Sequence, residues 1–99
     1  MKGDIRSEFI KEYSRSRIIS DTSLSSLLNR VGKIEKEKEK NIISFSESEI
    51  LEMYREFNLT SVNTLQNYNN YLKAYCDFII YKTNKGYNNF TNINKDVLK

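Results

Sequence analysis

Residues 61–81, SVNTLQNYNNYLKAYCDFIIY, decide how this chain folds. Leu65, Tyr68, Leu72, Tyr75, Cys76 and Ile79 recur at steps of three and four, the spacing that stacks side chains on one side of an α-helix. Ser61 is placed to cap its start, and the pattern runs to about Thr83. There "NKG" follows, with Gly86 suited to a left-handed C-terminal turn. The other side carries Asn63, Gln66, Asn67, Asn70, Lys73 and Asp77. Asparagine is a mediocre helix former, so an amide-rich solvent face needs a reason.

Working back toward the N-terminus, "FSESEILEMYREF" gives a third helix. Ser46 and Glu49 have the capping-box spacing, in which each side chain satisfies an unpaired backbone N–H at the helix start. Ile50, Met53, Tyr54 and Phe57 supply its apolar side, Phe45 stands where a hydrophobic staple would, and "NLTS" ends it. A second helix is expected to begin at Thr22 or Ser23 as cap, with Leu24, Leu27, Leu28, Val31 and Ile34 as its stripe. Gly32 weakens it locally, and "KIEKEKEK" extends it as a solvated, charge-alternating end. Residues 4–13 form a short first helix with Ile5, Phe9, Ile10 and Tyr13 facing inward, and "SRSRIISDTS" interrupts the pattern before the second.

Proline is absent and glycine occurs only at 3, 32 and 86, so the punctuation of a strand-and-turn protein is missing. The expectation is an all-α fold, a compact orthogonal bundle of about four helices. Phe9, Leu27, Leu28, Val31, Ile50, Phe57, Leu65, Leu72 and Ile79 share its core. After Gly86, Phe90 and Ile93 read as anchors of a connector, and Asn94 caps a further helix begun by Val97 and Leu98. The expected division is a helical domain over residues 1–85 and a connector over residues 86–99 that leads toward a further domain.

Ninety-nine residues support one small core. The lone cysteine, Cys76, has no disulfide partner and no histidine beside it to make a zinc site, which fits a reducing, cytoplasmic home. No apolar run is long enough to cross a bilayer, and "MKGDIRSEFIKEY" has no signal core. Without histidine, the commonest general base and metal ligand are missing, and no phosphate-cradling glycine pattern occurs. Seven tyrosines are present, but a tyrosine that attacks phosphate needs a cluster of arginine and histidine that this chain lacks. The chain is therefore not expected to be an enzyme by itself, and no cofactor, metal or small-molecule substrate is implied.

Net charge is +3, with basic ends and an acidic middle: residues 41–60 hold one base and four acids, residues 61–99 five bases and two acids. A polyanion would have to meet a local patch. Asparagine and glutamine amides donate and accept at once, which suits base edges, adenine above all, and phosphate oxygens. The candidate DNA-contacting residues are Asn63, Thr64, Asn67, Asn70 and Lys73 on the fourth helix, Arg15 and Arg17 before the second, and Arg30 and Lys33 along it. Base composition of the coding DNA accounts equally well for twelve asparagines and eleven lysines, so amide abundance alone does not decide the matter. A helical protein-interaction module, or a small stand-alone DNA-binding accessory protein, is the competing reading.

The whole pattern, a short leading helix, the capped "FSESEILEMYREF" and then "SVNTLQNYNNYLKAYCDFIIYKTN" with Ser61, Thr64, Leu65 and Tyr68 in a T-L-x-x-Y type arrangement, resembles a known family. It is similar to the N-terminal SAM-like, or core-binding, domain of phage-integrase-type tyrosine recombinases from Gram-positive mobile elements. The resemblance implies a four-helix domain that grips double-stranded DNA, alongside further copies of the same protein, while a separate domain with arginines, a histidine and the nucleophilic tyrosine does the cutting. It also implies that helices of this domain approach the major groove. Related modules serve DNA-processing proteins of conjugative plasmids.

Overall fold

Capping residues close both ends of three of the four helices. A computed structural model describes residues 4–15 and 19–90. It contains α1 (Ile5–Arg15), α2 (Asp21–Lys38), a 3-10 turn (Ile42–Ser44), α3 (Glu47–Phe57) and α4 (Val62–Thr83). Among the described residues there is no strand.

The capping box at α3 is formed. Glu49 N–H donates to Ser46 Oγ at 3.2 Å, and Ser46 N–H to Glu49 Oε1 at 2.9 Å. Ser61 caps α4 by accepting from the Thr64 N–H at 3.4 Å. The start of α2 differs from the sequence expectation: Ser20 is the cap, and Ser23 supplies the third-residue N–H that Ser20 Oγ accepts at 3.1 Å. In "SDTS" every residue is a competent cap, and the helix takes the first of them as its cap. The exit of α4 also differs. Asn84, not a glycine, takes the left-handed cap position at φ 58°, and Gly86 at φ 93° comes two residues later. Asn58 closes α3 the same way at φ 56°.

Every core residue expected from the helical stripes is buried, together with Leu24, Ile42, Phe45, Met53, Tyr54 and Phe90. The radius of gyration, 13.0 Å, is what a compact domain of about 100 residues has. α1 runs antiparallel to the second half of α4. Phe9 lies 5.1 Å from the Tyr75 ring and 5.6 Å from Phe78, and Tyr13 meets Tyr71 edge-on at 6.0 Å. At the other end of α4, Phe57 meets Tyr68 edge-on at 6.1 Å, which joins α3 to the bundle.

The charged end of α2 is more than a solvated extension. Glu35 is half-buried, accepts the Ile42 N–H at 2.8 Å and lies 3.8 Å from the Arg6 guanidinium. Arg6 passes over Gly32, where a Cβ would stand 2.7 Å from its Nη2, so the glycine that weakens the helix makes room for a link to α1. Ile93, Asn94, Val97 and Leu98, the expected continuation, lie outside the described residues.

Candidate nucleic-acid interface

Steps of three and four along α4 place Asn63, Gln66, Asn67 and Asn70 in one strip, at roughly 100° per residue. All four are exposed, and none has an intramolecular partner among the described residues. Exposed Lys73 and Asp77 continue the strip toward the C-terminus. On one flank stands α1, through Tyr13 and Phe9 against Tyr71, Tyr75 and Phe78. On the other flank the chain beyond α4 returns, with Asn88 Nδ2 bonded to Lys73 O at 2.9 Å and to Asp77 Oδ1 at 2.7 Å. The strip is thus a shallow ridge of neutral amides framed by two other segments.

The nine residues expected to contact DNA do not all meet here. Asn63, Asn67, Asn70 and Lys73 share the strip, whereas Arg15, exposed at the end of α1, lines a groove with Glu8, Lys11, Glu12 and Lys82. Thr64 is half-buried and turned out of the strip. Arg30 and Lys33 belong to a different surface. The Arg30 guanidinium sits 4.1 Å from the Phe57 ring centroid and donates to Phe57 O at 3.3 Å, closing the C-terminal end of α3. Lys33 shares a groove there with Glu37 and Glu56. Arg17 lies outside the described residues.

Sequence reasoning passed over Asn69. It holds the stripe position four residues after Leu65 and three before Leu72, where it is 3% exposed. Its Oδ1 accepts the Tyr54 hydroxyl at 2.8 Å, and its Nδ2 donates to Phe90 O at 2.9 Å. An amide inside an apolar stripe at spacing four and three was the available signal.

A cleft lies between the start of α1, the 3-10 turn and the end of α4, with Asp4, Arg6, Glu35, Asn41, Tyr75 and Lys85 on its walls. Its principal polar groups are already engaged. Arg6 reaches Asn29 and Glu35, Asp4 accepts from the Arg6 N–H and the Ser7 hydroxyl, and Asn41 caps the 3-10 turn. Among the described residues no group of histidine, cysteine and acid side chains is placed to hold a metal ion. No helix among them is long and apolar enough to cross a membrane.

Burial pushes the Glu35 carboxyl above its ordinary value of 4.5, against the lowering by the Ile42 N–H and Arg6. A carboxyl with a raised folded-state pKa contributes stability at low pH that is lost as pH rises from its unfolded value through its folded one. Glu35→Gln, which keeps an acceptor for Ile42, should therefore raise stability at neutral pH relative to stability at acid pH. Urea midpoints of the two proteins, compared across pH 4 to 7, check the sign. A variant that loses stability at neutral pH relative to acid pH would mean that the Ile42 and Arg6 contacts outweigh desolvation.

The MrpR N-terminal core-binding domain model matches residues 2–82, which takes in α1 to α3 and all but the last residue of α4. The chain belongs to that family. No curated protein and no solved structure gave a significant match. The core-binding domain so defined includes the amide strip and the α1 flank, while the returning chain on the other flank, residues 84–90, lies past the match.

Proposed function

We propose that this core-binding domain binds duplex DNA through the α4 amide strip, within a tyrosine-recombinase or integrase-like protein of a mobile element. There it positions DNA for a catalytic domain that is separate from residues 1–85. The observation that carries the reading is the row Asn63, Gln66, Asn67, Asn70, exposed and without internal partners among the described residues. Exposed amides spend no charge on solubility, and a bidentate amide is the natural partner of an adenine edge in the major groove. Lys73 at the border of the row, with Arg15 on the neighbouring helix, supplies phosphate contacts, which hold register and carry most of the affinity. Further protomers on the same DNA and a cytoplasmic location belong to this reading.

The two kinds of contact are expected to fail differently. Lys73→Ala should weaken binding to every duplex and reduce the slope of log affinity against log salt by about one unit, one lost phosphate contact. Asn67→Ala should cost about 1–3 kcal/mol on the duplex selected as tightest and little on random DNA. Arg30→Ala should lower the melting temperature instead, because its guanidinium closes α3. Labelled duplex titrated at two salt concentrations reads the first two, and a thermal melt reads the third. No binding at micromolar protein and low salt overturns the DNA reading.

That outcome would favour a protein-interaction module. Its support is the exposure of Tyr81 at 82% and Tyr87 at 75%, since tyrosine is enriched at interfaces.

A further inference from the structure

After α4 the chain reverses. Gly86 makes this possible twice over: its φ of 93° is a conformation L side chains avoid, and a Cβ there would stand 2.6 Å from Ile43 Cβ. From that point the chain runs back along α4. Tyr87 N–H donates to Ile43 O at 2.8 Å and Asn89 Nδ2 to Phe45 O at 2.8 Å, which ties one edge to the 3-10 turn and its exit. The other edge is tied to α4 by Asn88, through Lys73 O and Asp77, and then by Asn69 to Phe90 O. The Phe90 N–H closes on Asn88 Oδ1 at 3.1 Å. The Phe90 ring is 1% exposed and stands edge-on to Tyr54 at 6.3 Å.

We propose that residues 86–90 are a strap that fixes where the polypeptide leaves the bundle. Its contacts with α4 move from Asp77 and Lys73 to Asn69 as the chain advances from Asn88 to Phe90. Between Asn69 and Thr83 the helix rises about 21 Å, at 1.5 Å per residue. A chain released at the end of α4 would depart from the far end of the bundle. The strap brings it back by most of that length, to the Gln66–Lys73 flank of the amide strip.

Its consequence for function rests on the DNA reading. The polypeptide past Phe90 sets out from the edge of the surface proposed to meet the duplex, and from a fixed point. A second DNA-contacting unit attached there acts at a high effective concentration on the same duplex, which a free tether from Thr83 would dilute. The three asparagines that make the strap, Asn69, Asn88 and Asn89, are thus positioning residues for that second unit.

The test needs no DNA, so its failure leaves the DNA reading standing. Spin labels are placed at Lys36→Cys and Tyr87→Cys, both exposed positions. Cys76 stays unlabelled because it is fully buried and burial pushes its thiol up to about 12. The strap predicts one narrow distance distribution between the labels. In the Asn88→Ala/Asn89→Ala background the distribution should broaden severalfold, with helical circular dichroism and cooperative melting retained. Gly86→Ala, which disrupts the strap from its other end, should broaden it in the same way. A broad distribution with the strap intact, or an unchanged narrow one in both backgrounds, overturns the proposal.

Discussion

Leu72→Ala is expected to lower the free energy of unfolding by about 2–5 kcal/mol. Leu72 is fully buried midway along α4, within the single core cluster. Removing most of its side chain forfeits transfer free energy and leaves a cavity that the surrounding core fills only in part. Domains of this size have roughly 5–15 kcal/mol in total, so the upper end of the loss would unfold a measurable fraction at 37 °C. Asn70→Ala, two residues earlier on the exposed strip, is the matched control and should stay within about 0.5 kcal/mol. Urea unfolding of both variants, with the m-value checked for constancy, gives the comparison. A loss below about 1 kcal/mol at Leu72 would mean that the bundle collapses around the site and that the core is less tightly keyed than its burial implies.

The features that could be read from sequence are those that depend on neighbours within one helix turn. The stripes of α2, α3 and α4, the Ser46–Glu49 box and the Ser61 cap all arise from spacings of three and four, and each is realised. The features that could not be read join residues far apart in the chain. Glu35 looks like one more charge in "KIEKEKEK" until the 3-10 turn brings the Ile42 N–H onto it. Asn89 bonds a carbonyl 44 residues away, which no local pattern records. The asparagines show the same division. Asn41, Asn58 and Asn84 end or begin helices, Asn69, Asn88 and Asn89 pin the strap, and Asn63, Asn67 and Asn70 remain unpartnered on the strip among the described residues. Sequence therefore gives the face of α4 but not its surroundings. Arg30 and Lys33 are candidates by their charge along the second helix, whereas packing turns the two bases toward α3.

Asn69→Leu should be nearly as damaging as the loss of Leu72, although it places a larger apolar group in an apolar stripe. The substitution removes the acceptor of the Tyr54 hydroxyl and the donor to Phe90 O together. Tyr54 is 2% exposed, and burial raises its phenol far above the ordinary range, so the hydroxyl keeps its proton and needs an acceptor at every accessible pH. Each buried polar group left without a partner costs roughly 1–3 kcal/mol, which puts the loss at about 2–6 kcal/mol if both stay buried. The strap can lower that figure by releasing Phe90 O to water, at the expense of Phe90 burial. Tyr54→Phe separates the two bonds, because it orphans only Asn69 Oδ1 and leaves the Phe90 link in place. Once Asn69 is leucine, removing the Tyr54 hydroxyl should relieve an unsatisfied donor. The double variant should then be more stable than the sum of the single losses predicts, by about 0.5–3 kcal/mol. Strict additivity in urea unfolding would show that the hydroxyl and the amide do not depend on each other, and that Asn69 acts through the strap alone.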